Sequence, residues 1–112
     1  MYEKIREALE ELVRPVLFAE ATLDKVRAEC LDRAQHVAEL LGLRVYWGGH
    51  YIRPGKKPTL VDSYTLSRPD GMPVAEITFY VEFEKRAETV IAAIAGVDLL
   101  LIFRHSPPRP SA

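Results

Sequence analysis

The spacing of apolar residues changes at Gly42, from every third and fourth position before it to every second position after it. A chain patterned in this way folds as an α+β domain, with amphipathic helices first and a mainly antiparallel sheet following. Tyr2, Ile5, Leu9, Leu12, Val13 and Val16 share one helical stripe, and Pro15 stops or kinks that helix near Arg14. A second helix starts at Thr22, whose hydroxyl can cap the first free amides, and ends at Gly42, suited to a left-handed residue just past a helix.

On a helical wheel the second helix places Leu23, Val26, Cys30, Ala34, Val37 and Leu41 toward the core. Asp32, His36 and Glu39 have the spacing of metal ligands, but they lie opposite that stripe with Arg33 among them and read as a solvated face. Cys30, the lone cysteine, reads as a small buried hydrophobe. Arg27 sits at the edge of the apolar stripe, where its stem can pack while its head reaches outward.

Strands are expected at 43–52, at Thr59–Ser67 and at Met72–Phe83. Gly48-Gly49 allows either a hairpin turn or a bend in one longer strand. Tyr46, Trp47 and Tyr51 can line a small pocket with His50 but read as core aromatics, and the basic loop with Arg53, Lys56 and Lys57 can meet a phosphate but reads as solvated turn residues. Pro69-Asp70-Gly71 fits a three-residue hairpin loop with glycine in the left-handed position. Continued without interruption, that turn sets Leu66 against Val74, Tyr64 against Glu76, Asp62 against Thr78 and Leu60 against Tyr80. Val61, Ser63 and Thr65 then share a core face with Ala75, Ile77, Phe79 and Val81. The other face carries the candidate ligand- or partner-binding set Asp62, Tyr64, Glu76, Thr78 and Tyr80.

Ala87, Val90, Ile91 and Ile94 make a short helical stripe ending at Gly96, and 97–103 reads as a buried strand. The expected order is therefore ααβββαβ, with a βαβ crossover making the last strand parallel to its predecessor. Residues 1–105 form the domain, and 106–112, with three prolines, a tail without order of its own. His50 and His105 fall at strand ends, and neither has a sequence neighbour that would activate it.

A formal charge of −1 with both signs interspersed gives nucleic acid or an acidic membrane no strong nonspecific pull. No apolar run approaches the roughly 20 residues of a membrane span, and a cytoplasmic location is expected. A chain without asparagine and with Gln35 as its one glutamine fits the avoidance of heat-labile amides in a thermophile. No cofactor motif occurs, and no cofactor or metal is expected.

The order helix, three antiparallel strands, helix, strand resembles the core of restriction-endonuclease-like nucleases. An acidic residue on the second strand and a Glu-x-Lys on the third hold the metal in that family. Asp62 matches the first position and Glu76 the second, while Thr78 stands where the family keeps its lysine. The resemblance implies a metal-dependent, nuclease-like phosphodiesterase with a degenerate site. The residues themselves favour a non-enzymatic, homo-oligomeric module, a homodimer that binds protein or a small ligand through a sheet face or edge, because tyrosines among a few charges suit an interface.

Overall fold

The computed structural model describes residues 2–13 and 17–102. Its elements are α1 (Tyr2–Val13), β1 (Leu17–Ala21), α2 (Leu23–Leu41), β2 (Arg44–Arg53), β3 (Thr59–Ser67), β4 (Pro73–Arg86) and β5 (Thr89–Leu101). The fold is α+β, and the strands form one fully antiparallel sheet in the order β1-β5-β4-β3-β2. The last expected strand position, His105, the kink at Pro15 and the 106–112 tail fall outside the described residues. No described helix is long and apolar enough to cross a membrane.

Helix α2 forms for local reasons that the sequence carries openly. Thr22 is extended (φ −82°, ψ 156°), and its Oγ1 accepts the Lys25 amide at 3.2 Å. At the other end Gly42 is left-handed (φ 67°), and the Leu43 amide reaches back to the Ala38 carbonyl at 2.8 Å. Between the caps, Val26, Cys30, Ala34 and Val37 are fully buried against the sheet. Helix α1 packs chiefly on α2, through Ala8 and Leu12. Both helices cover the same sheet face, where Leu60, Leu66, Ala75, Ile77, Phe79 and Val81 complete the core. Burying each larger apolar side chain there contributes about 1.5 to 3 kcal/mol.

Two expectations fail. The segment around Ala87–Ile94 is not a helix: β4 and β5 form one long antiparallel hairpin, so the expected crossover and parallel last strand are absent. Arg86 pairs with Thr89 across a two-residue turn in which Ala87 takes a positive φ of 45°. Val90 and Ala92 face the core while Ile91 and Ala93 face away, so a period of two organises residues whose alanines also satisfied a helical stripe. The order helix, three strands, helix, strand is thus replaced by helix, strand, helix and a four-strand meander.

The second failure is the β3–β4 register. The expected turn is present: Gly71 has φ 91°, its amide donates to the Arg68 carbonyl at 2.8 Å, and the Arg68 amide donates to Met72 at 2.9 Å. Ser67 then pairs with Pro73, but Leu66 pairs with Ala75, leaving Val74 as an extra residue. Proline lacks the amide hydrogen a ladder needs, and a bulge is where a sheet accommodates it. The carbonyl of Val74 accepts instead from Ile102, at 2.9 Å. Beyond the bulge every pairing is displaced by one: Tyr64 meets Ile77, Asp62 meets Phe79 and Leu60 meets Val81. The faces expected for β4 hold, whereas those expected for β3 are exchanged.

This register sets opposite outcomes for adjacent residues. Leu66→Lys buries a charge in the core and should lose at least about 3 kcal/mol or fail to fold, whereas Thr65→Lys, opposite Glu76, should change stability by less than about 1 kcal/mol. Urea unfolding of the two variants checks it, and the reverse order would restore the uninterrupted register.

Candidate functional site

The displaced register separates the five expected site residues onto two sheet faces. Asp62 and Tyr64 are buried beneath α2, whereas Glu76, Thr78 and Tyr80 stay on the uncovered face. Two carboxylates on opposite sides of a sheet cannot share a cation, so Asp62 and Glu76 do not form a dyad. Among the described residues no three His, Cys, Asp or Glu side chains gather as a metal cluster.

Asp62 is wholly buried and accepts two hydrogen bonds, from Trp47 Nε1 at 2.9 Å and from the Tyr64 hydroxyl. These donors replace the water the carboxylate has lost. Trp47 in turn lies beneath the Arg27 guanidinium, 5.2 Å from its ring centroid, and 5.4 Å from the His50 ring. Arg27 thus packs at the stripe edge as its wheel position suggests, but its head lies over Trp47 with Nε buried rather than reaching outward. Arg33 does not lie on the solvated face: it is buried between the helices, where Nε pairs with Glu29 at 3.3 Å and a terminal nitrogen donates to the Leu12 carbonyl at 3.4 Å.

This enclosure governs ionisation. Burial pushes the Cys30 thiol from its ordinary 9.0 up to about 12, and the nearby Asp62 charge adds to the effect, with Arg27 and Arg33 pulling the other way. Burial and the hydrogen bond to Asp62 hold the Tyr64 phenol well above its ordinary value. A thiol and a phenol both kept protonated do no nucleophilic work at neutral pH. The cluster is built to hold α2, β2 and β3 together.

The uncovered face carries buried Val61 and exposed Leu100 beside polar pairs that join strand to strand. Ser63 and Thr78 hydroxyls lie 3.3 Å apart, the Tyr80 hydroxyl donates to Asp98 at 3.0 Å, and the Arg53 guanidinium lies 5.6 Å from the Tyr80 ring centroid. The bond to Asp98 raises the Tyr80 phenol above its ordinary value. Glu76, Thr78 and Asp98 line a shallow recess of about 360 Å³. A larger apolar cleft of about 850 Å³ opens between the helices and the strand ends, lined by Ala8, Val37, Leu40, Leu99 and Leu101, with Lys4 at its wall.

The residues that sequence reasoning missed lie on β2. Tyr46, Trp47, Tyr51 and Ile52 are each about half exposed, not core, and make up half of the eight exposed large apolar side chains described. Strand β2 ends the sheet and is paired on one side only. Gly48-Gly49 is not a turn: Trp47 pairs with Tyr64 and Gly49 with Ser63, leaving Gly48 as an extra residue within one ten-residue strand. That glycine pair was the available signal, since bulges concentrate on edge strands. No family model matches the chain, and neither a curated protein nor a solved structure is significantly similar to it.

Two measurements test the cluster. Asp62→Ala strips the acceptor from the buried Tyr64 hydroxyl and the part-buried Trp47 indole and should cost about 3 kcal/mol in chemical denaturation. Because the folded pKa values of Cys30 and Tyr64 are raised, their stabilising effect is complete below the ordinary values and is lost as pH rises through the folded ones. Stability should therefore fall from about pH 9 toward 12. Tyr64→Phe and Cys30→Ala should each flatten that decline, and an unchanged slope would show that neither group titrates on unfolding.

Proposed function

We propose that the protein is a homo-oligomeric binding module whose working surface is the free edge of β2. The observation that carries this reading is the concentration of Tyr46, Trp47, Tyr51 and Ile52, all about half exposed, on a ten-residue strand with one partner. An edge strand offers a row of unpaired amides and carbonyls, and a partner strand that adds to it gains main-chain hydrogen bonds together with apolar burial. Tyrosine and tryptophan supply that area at low entropic cost. The near-neutral charge supports a protein surface as the partner rather than nucleic acid. Support for a ready-made edge also comes from Asp62, which fixes the Trp47 ring from the next strand.

Light scattering coupled to size exclusion across micromolar concentrations should return twice the chain mass. Trp47, the single tryptophan, should shift its emission to shorter wavelength as the protein is concentrated. Ile52→Lys should weaken association at least tenfold, while Glu88→Lys, at the exposed β4–β5 turn, leaves it unchanged. A parent that stays monomeric, or an Ile52→Lys variant that associates as well as the parent, overturns the reading.

A further inference from the structure

Strand β2 reads almost the same in both directions: Arg-Val-Tyr-Trp-Gly, then Gly-His-Tyr-Ile-Arg. From that near-palindrome and the bulge at its centre we infer that the occupant of the β2 edge is a second copy of β2, antiparallel, with Gly48 of one chain opposite Gly49 of the other. This rests on the edge-binding reading and names its partner and register.

Antiparallel pairing sets two requirements. Opposed residues must project from the same sheet face, and both must turn their main-chain groups toward each other. Val45 and Ile52 are seven residues apart, so in an uninterrupted strand they would lie on opposite faces and could never be opposed. The extra residue at Gly48 removes the conflict. Val45 and Trp47 pair with Leu66 and Tyr64, while His50 and Ile52 pair with Asp62 and Leu60, all on the helix-covered face. Tyr46 and Tyr51 pair with Thr65 and Val61, on the uncovered face. Because main-chain direction alternates in step with side-chain face, the bulge brings both into agreement across a two-fold axis.

In this arrangement Val45 meets Ile52, Tyr46 meets Tyr51 and Trp47 meets His50, each twice, so every apolar or aromatic side chain faces one of its own kind. The axis passes between glycines, where two bulges coincide without side chains to collide. Other face-matched registers pair only part of the strand. The one unfavourable juxtaposition sets Arg44 opposite Arg53 at the ends, where Arg53 already leans over Tyr80. Both devices that usually protect a strand edge, terminal charges and a bulge, here select one closed register over open-ended stacking. Two five-stranded sheets become one sheet of ten, and the isologous contact closes on itself.

Cysteine cross-linking reads the register directly. Tyr46→Cys and Tyr51→Cys chains carrying different affinity tags are mixed and mildly oxidised. The opposed pair brings the α-carbons within disulfide range, whereas the two copies of either position stand roughly 13 Å apart along the strand, four ladder steps across the bulge. The mixed disulfide should exceed the disulfide of either variant alone by at least tenfold. Val45→Cys with Ile52→Cys should behave likewise and leaves both tyrosines in place. Buried Cys30 should not react in the parent. A dimer whose cross-links form in the single variants, or in neither mixture, overturns this register and leaves edge association standing. A monomeric parent removes both.

Discussion

Pro73 has no amide hydrogen, and the sheet is arranged around that lack. The ladder between β3 and β4 must step aside there, and Val74 becomes the extra residue whose carbonyl turns to Ile102. The step is one residue long, which in a sheet means a complete exchange of faces. It brings Leu60, Asp62, Tyr64 and Leu66 under α2 and turns Val61, Ser63 and Thr65 to the opposite face, where Val61 is still buried. Every later relation in the molecule, from the buried carboxylate to the half-exposed tryptophan, follows from this displacement.

An acid in a core requires donors, and they come from both sides of β3. Tyr64 supplies one from the same strand and Trp47 the other from β2, while Arg27 of α2 lies over the indole. The consequence falls mainly on β2. A strand with one neighbour is ordinarily free to fray, but this one is tied through its tryptophan to the middle of the core. The polar network therefore restricts the most exposed part of the sheet, and an edge held in one geometry loses less entropy when a partner adds to it.

Much of this was legible in the residues. The caps of α2, its buried stripe, the Pro69-Asp70-Gly71 turn and the two faces of β4 all follow from local chemistry that packing does not override. What could not be read depended on single-residue events. Alanines at 87, 92, 93 and 95 are apolar enough for either a helix or a strand, so periodicity there is ambiguous, and only pairing with β4 decides for the strand.

 Faces on β3 were misassigned because a bulge adds one residue without changing composition, and its only mark was a proline at the start of a strand. Asp62 and Arg33 escaped notice as core residues because charge argues for the surface until partners from distant segments are known. Strand β1 is five residues long, too short for a pattern to declare itself.

Strands β2 to β5 are consecutive neighbours, each able to pair with the one before it as soon as the turn between them forms. Strand β1 is different, because among the described residues its partner is β5, more than 60 residues further along. During synthesis on the ribosome, α1, β1 and α2 therefore emerge before β2 to β5, and β1 lacks its sheet partner until β5 has followed. The meander pairs strands that are neighbours in sequence, whereas closing β1 onto β5 carries the larger loop-closure entropy. A chain stalled before β5 would leave β1 without its partner and the edge of β4 open, two strand edges available to other chains.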